Sequence, residues 1–187
     1  MAIDKHGELS YNRKKKSFIQ GEKMKPTAIV YTSKMGHAEQ YAKMLGEKTS
    51  LPVYALKEAK LPAGSGIIYL GWIHASHIKG FSRAAKRFSV CAVCGVGLCD
   101  TGTLLDEVRK ATAIPENIPL FTLQGGIDSS KLKGMDKLLI SMLTKGLSGQ
   151  QQRSEQDERM LYLLQSNANY VSEDNLKSVL DYIHNFE

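Results

Sequence analysis

Thr27-Ala28-Ile29-Val30-Tyr31-Thr32-Ser33-Lys34-Met35-Gly36-His37-Ala38-Glu39-Gln40-Tyr41-Ala42 passes through three states without a break. Its apolar run at 28–31 is short and β-rich, as expected of a strand covered on both faces. Thr32, Ser33 and Lys34 then supply two hydroxyls and an ammonium, and Gly36 permits a tight turn. From His37 to Lys48 the chain has helical spacing, with Ala38, Tyr41, Ala42 and Leu45 on one face. Two readings of this junction stand side by side. The free amides and positive dipole end of a helix N-terminus favour a phosphate. Alternatively, this is a plain strand-to-helix crossover in which Thr32 and Ser33 act as ordinary caps. The loop lacks the Gly-Lys-Ser/Thr ending of a Walker A sequence and the three spaced glycines of a dinucleotide fingerprint, which argues against a nucleoside triphosphate or NAD.

Outward from this stretch, the same alternation repeats. Apolar strands are expected at 52–56, 66–71, 89–96 and 118–124, separated by helical spacing at 78–87 and 103–113. Residues 72–77 and 97–102 read as loops. Five apolar strands alternating with helices imply a parallel sheet with helices on both faces and right-handed crossovers. In such α/β sheets ligands lie beyond the carboxyl ends of the strands. The loops at 32–37, 72–77 and 97–100 all fall on that edge. Beyond Gly126 the chain is helical, with Met135, Leu138, Leu139, Met142 and Leu143 on one face; Met135, Met142 and Met160 are read as core or interface filler. A polar loop at 146–152 precedes two further helices at 153–165 and 173–186. Ser154 with Asp157, or Ser172 with Asn175, offers partial capping, short of a full box.

With 187 residues, 42% of them apolar, the chain has enough interior for one domain without cross-links. The formal charge is +6, but residues 1–25 carry seven basic side chains against Asp4, Glu8 and Glu22, so this segment holds most of the excess. The basic character is therefore a property of a leader, residues 1–24, rather than of a nucleic-acid-binding face. The leader has no helical or strand period and reads as a solvated tail, with Met24 a natural start for the folded unit at 25–187. No apolar run approaches the ~20 residues of a membrane-spanning helix, and no signal-peptide core is present. The expected location is the cytoplasm.

Cys91, Cys94 and Cys99 fall in one window. A metal reading is rejected because residues three apart on a strand face opposite sides. Cys91 and Cys94 are read as core, and Cys99, in the following loop, as either packing or a reactive thiol. His74 and His77 lack a third ligand of suitable spacing.

Certain residues go beyond generic phosphate binding. Val30 to His37 at the first loop, Leu70-Gly71-Trp72-Ile73-His74-Ala75 with Ile78-Lys79-Gly80 at the second, and Gln124-Gly125-Gly126-Ile127-Asp128 with Lys131-Leu132 and Met135-Asp136-Lys137 resemble the flavodoxin-like family. The likeness is greatest to its branch of menaquinone-dependent protoporphyrinogen oxidase and stand-alone bacterial flavodoxin-domain proteins. The resemblance covers residues 24–186. It implies a three-layer sandwich, a five-stranded parallel sheet of order 2-1-3-4-5 with extra C-terminal helices, and an FMN site. By that resemblance Thr32, Ser33, Lys34, Met35, Gly36 and His37 wrap the phosphate. Trp72, Ile73, His74 and Ala75, with Gly97, Leu98, Cys99 and Asp100, flank the isoalloxazine ring, Trp72 or His74 stacking on it. Ala38 also belongs to the phosphate site and marks a departure: the family commonly has a threonine there, and the missing hydroxyl costs about 0.5–1.5 kcal/mol. Asp128 is read equally as a turn residue.

The function implied is that of a redox flavoprotein, either an electron carrier or an FMN-dependent oxidoreductase. Its partner would be a redox protein or a small-molecule acceptor. The helices after Gly126 offer no evident membrane-docking surface, which favours a carrier or reductase free in solution. A rival from another class is a flavodoxin-like module without cofactor that serves as an interaction domain, the direction in which Ala38 points. A response-regulator-like domain is disfavoured, because Thr32 and Ser33 stand where an acidic pair is needed.

Overall fold

β1 (Ala28–Thr32) lies in the interior, and its first three side chains, Ala28, Ile29 and Val30, are completely buried. Alternate residues serve opposite faces: Ala28 and Val30 join one apolar cluster, Ile29 the other. Both faces are therefore covered, as the unbroken apolar run implies. These coordinates are a computed structural model and describe residues 24–185. The leader expected at 1–24 lies outside the described residues except for Met24, as does the expected helix end at Phe186.

After β1 come α1 (His37–Thr49), β2 (Val53–Ala55), β3 (Gly66–His74), β4 (His77–Ile78), α2 (Phe81–Arg87), β5 (Ser89–Gly97), α3 (Leu105–Thr112) and β6 (Leu120–Gln124). α4 (Gly134–Ser148), α5 (Glu155–Ser166) and α6 (Lys177–His184) complete the chain. The sheet order is β2-β1-β3-β5-β6, every pair along it parallel, with β4 antiparallel to β3. The numbering departs from the expected 2-1-3-4-5 through the short β4; the five parallel strands, counted alone, follow that order. α1 and α6 pack on one face through Tyr41, Leu45, Val179 and Ile183. α2 and α3 pack on the other through Phe81, Ala84 and Val108. The result is a three-layer α/β sandwich.

Where the strand and helix bounds differ from expectation, the cause is local. Trp72, Ile73 and His74 extend β3 rather than forming a loop, because β4 returns against it with Ile73 opposite Ile78 and His74 opposite His77. The turn between them, Ala75-Ser76, holds both residues at positive φ (47° and 61°), the geometry of a two-residue hairpin. Ile78 is thereby taken from the helix expected at 78–87, which starts instead at Phe81, after Gly80. In β5 the register against β3 shifts between Ile67 and Ile68, so that Val90 and Ala92 take consecutive partners and Cys91 is the extra residue. This bulge interrupts the strict alternation on which the opposite-face reading of Cys91 and Cys94 rested. All three cysteines are free; Cys94 is fully buried, Cys91 and Cys99 half-buried.

Two capping expectations are also corrected. Ser154 and Asp157 form a full reciprocal box at the start of α5. Asn175 does not cap; its amide donates to the Tyr41 hydroxyl (2.7 Å) and the Tyr170 carbonyl (3.0 Å). Tyr41 in turn donates to the Gln124 carbonyl, so one buried hydroxyl ties α1 to the end of β6 and to the segment before α6. Tyr41→Phe leaves that carbonyl unpaired and is expected to lower stability by about 1–3 kcal/mol, read as a shifted urea midpoint at unchanged slope.

Candidate functional site

The carboxyl edge of the sheet holds a cavity of about 140 Å³. Its near side is the loop after β1 and the first turn of α1. Gly36 stands at φ 100°, and its N–H donates to Ser33 Oγ at 3.1 Å. Among the described residues, no protein acceptor meets the N–H groups of Lys34, Met35, His37 or Ala38. Those four amides flank the helix N-terminus, where an anion is favoured. Two ammonium groups stand over the loop. Lys34 Nζ pairs with Asp136 of α4 at 2.5 Å and lies 4.7 Å from the centroid of the Trp72 ring, a cation–π contact. Lys131 Nζ donates to the Met35 carbonyl at 3.0 Å and pairs with Asp128, also at 3.0 Å. Hydrogen bonds from Ser130, followed by the pairing with Lys131, hold the Asp128 carboxyl below its usual range. His37 is buried, and its pKa is lowered first by that burial and then by the Lys131 charge, so the imidazole is neutral at pH 7.

The far side is apolar. Trp72, Ile73 and His74 from the end of β3 face Gly97 and Leu98 from the end of β5, with Gly125, Gly126 and Ile127 beneath. The Trp72 and His74 rings meet edge-on at 5.6 Å. α4 forms the roof through Asp136, Leu139 and Ile140.

Of the residues named from sequence, Ser33, Lys34, Met35, His37, Ala38, Trp72, Ile73, His74, Gly97 and Leu98 line this one cavity. Thr32, Gly36, Ala75, Cys99 and Asp100 do not. The Thr32 hydroxyl is engaged with the buried Tyr69 hydroxyl at 2.9 Å, and Tyr69 also reaches the Lys79 carbonyl at 2.7 Å. With one proton on each hydroxyl, Tyr69 donates to the carbonyl and Thr32 donates to Tyr69, so Thr32 has no proton left for a phosphate. Gly36 contributes backbone shape, and Ala75 is the tip of the hairpin. Asp100 pairs with Arg159 of α5 at 2.5 Å. Burial, then the Asp100 and Glu107 carboxylates, raise the Cys99 pKa, which holds it as a thiol rather than a reactive thiolate.

Sequence reasoning gave no role to Lys131, Asp136, Leu139 and Ile140. The segment that carries two of them had been singled out, but the contacts span about a hundred residues, and no local pattern signals them. Among the described residues, no group of three or more His, Cys, Asp or Glu side chains is arranged to hold a metal ion.

The donor set fits a phosphomonoester: four amides, two ammonium groups and a neutral imidazole. The apolar walls with Trp72 fit an aromatic ring. The volume does not hold a whole tricycle, since sites for molecules of that size occupy about 300–1,000 Å³. As it stands the cavity takes only part of such a ring. No protein-family model matches the chain, and no curated protein matches it in sequence.

Proposed function

We propose that the protein is an FMN-binding redox protein, an electron carrier or a flavin-dependent oxidoreductase. One observation carries this reading: an amide-lined, lysine-flanked loop opens directly into an apolar slot bounded by Trp72 and Leu98. The distribution of donors and apolar walls suits a ligand with a charged phosphate at one end and a flat, apolar body at the other. Lys34 and Lys131 would hold the phosphate with the amides of Lys34, Met35, His37 and Ala38, each ammonium exchanging its carboxylate partner for the ligand. Trp72 and Leu98 would confine the ring and exclude water from one of its faces. Bound there, the flavin would supply the electron or hydride transfer, and the chain would set its orientation and electrostatic surroundings.

The comparison of FMN with riboflavin tests this directly, because the two differ only in the phosphate. Titrated against the protein and followed by flavin fluorescence, FMN is expected to bind and riboflavin to bind at least about 30-fold more weakly, the loss of one or two charge-assisted hydrogen bonds. Equal affinities would remove the phosphate role of the loop. Failure of both at about millimolar concentration would favour the second reading, a cofactor-free interaction module. That alternative has its own support in the small cavity, the Lys34–Asp136 pair that fastens its roof, and the absent hydroxyl at Ala38.

A further inference from the structure

α4 turns outward the face that its period suggested for packing: Met135, Leu138, Leu139, Met142 and Leu143 are 77, 53, 51, 61 and 45% exposed. A surface of another kind, marked by charge, runs along the end of the β3–β4 hairpin and α2. Ile78 is buried, so alternation turns its neighbours His77 and Lys79 the other way. The Lys79 N–H donates to the Trp72 carbonyl at 3.0 Å, which carries the hairpin ladder one residue past β4. On α2, Phe81 and Ala84 enter the core, and Ser82, Arg83 and Lys86 are left exposed. These five side chains, with Thr112 of α3, line an open groove of about 480 Å³.

Lys79, Arg83 and Lys86 thus share one groove, and no carboxylate lines it. Among the described residues, none of the three takes part in an ion pair. Arg87, next along α2, is spent: its guanidinium donates to the Leu56 carbonyl at 2.9 Å and the Ala59 carbonyl at 2.7 Å. The carboxylates of α3 are also engaged elsewhere. Glu107 accepts from Ser76 Oγ at 2.5 Å, and Asp106 lines a separate depression with Arg109 and Lys110. Like charges gathered without an answering anion repel one another, and an anionic partner relieves that repulsion. Spacing decides its kind. His77 and Lys79, two apart on extended backbone, stand about 6.6 Å from each other. Arg83 and Lys86, three apart on a helix, stand about 5–6 Å apart. Alternate side chains of an extended peptide recur at nearly the same interval. A compact phosphate calls instead for convergent amides, and those of Ile78 and Lys79 are already given to Thr112 Oγ1 and the Trp72 carbonyl. No Phe, Tyr or Trp lines the groove for a base to stack on, and no exposed apolar side chain for a bilayer to take up. Two copies docked groove to groove would only add cation to cation.

We propose that this groove docks an extended acidic segment of a partner protein, whose carboxylates at alternate positions meet Lys79, Arg83 and Lys86. The docking does not depend on what fills the cavity, although the hairpin joins the two sites: His74 lines the cavity, and His77, its cross-strand neighbour, lines the groove.

Fluorescence anisotropy with the full chain and a labelled peptide of about ten residues, alternating Glu and Ser, tests the proposal. At about 0.1 M salt the screening length is about 10 Å, so mainly nearby charges are felt. The peptide is expected to bind, and Arg83→Glu/Lys86→Glu to weaken it at least about tenfold. Lys137→Glu/Lys145→Glu on α4 makes the same change in net charge and should alter the affinity less than about twofold. All four side chains are exposed, so circular dichroism and melting should change little in either variant. Equal losses in the two variants would trace the binding to net charge, and binding that neither disturbs would trace it to the basic leader; both overturn the proposal. So do an absence of binding at about millimolar peptide, a tighter grip on oligothymidylate of similar length that Arg83→Glu/Lys86→Glu abolishes, and self-association in sedimentation velocity that the same variant dissociates.

Discussion

Gly80→Ala is expected to destabilise the protein by about 3–6 kcal/mol, although it adds a single methyl group outside the cavity. Gly80 sits at φ 87°, a region that costs an L-residue about 1–2 kcal/mol. A Cβ there would lie 2.1 Å from the Tyr69 hydroxyl oxygen and 2.6 Å from Thr32 Oγ1. Neither neighbour can withdraw cheaply. Tyr69 is fully buried in a strand at the centre of the sheet, and its hydroxyl is committed to Thr32 and the Lys79 carbonyl. Displacing it leaves buried polar groups unpaired, at about 1–3 kcal/mol, beyond the steric term. For a domain of this size the melting temperature should fall by roughly 10–20 °C. Tyr69→Phe, which removes the hydrogen bonds without the clash, should cost markedly less. Equal losses would show that the hydroxyl network, rather than the close approach at Gly80, dominates. A Gly80→Ala protein as stable as the wild type would mean that this turn relaxes freely.

The same triangle of residues shows why some of the site was legible in sequence and some was not. β1 was readable because burial on both faces forces a run of apolar residues, and a run needs no knowledge of partners. Gly36 was readable because a sharp strand-to-helix turn asks for a residue that tolerates positive φ. Thr32 was misjudged: a hydroxyl at a helix N-terminus suits an anion, but its partner, Tyr69, lies thirty-seven residues away on β3. Trp72 was assigned to a loop because nothing in an apolar run ending at glycine announces that a two-residue strand will return against it. α4 is the sharpest case. The 3.6-residue period identified the face correctly, yet period alone cannot tell whether a face meets the core or the outside. Lys131 and Asp136 were visible as part of a distinctive segment, but their contacts with Met35 and Lys34 exist only once the chain has folded back over the sheet edge.

Stability should also fall steeply in alkali, beginning near pH 9. Burial pushes the Cys94 thiol up to about 12. Burial also carries the Tyr69 phenol to about 12, against a smaller opposing effect of its hydrogen bond with Thr32. Cys91, half-buried beside the bulge, moves to about 11 for the same reason. In the unfolded chain these groups lose their protons near pH 9 and 10, whereas the native protein keeps them. The native state then binds more protons than the unfolded state, so raising the pH favours unfolding. The stabilisation is complete below pH 9, declines from there as the thiols ionise in the unfolded chain, and declines faster above pH 10, when Tyr69 joins them. It is exhausted as the native groups titrate near pH 12. At about 1.4 kcal/mol per proton per pH unit, Cys94 and Tyr69 together should remove roughly 4 kcal/mol by pH 11, a large share of the 5–15 kcal/mol typical of a domain. Urea midpoints at pH 7, 9, 10 and 11 measure this. Cys94→Ala serves as the control: it lowers stability at every pH through the lost packing, but should flatten the fall between pH 9 and 10, because of the raised thiols only Cys91 and Cys99 remain there. A midpoint unchanged up to pH 11 would mean that water reaches the centre of β5 and the thiol is not held in the dry interior that the fold gives it.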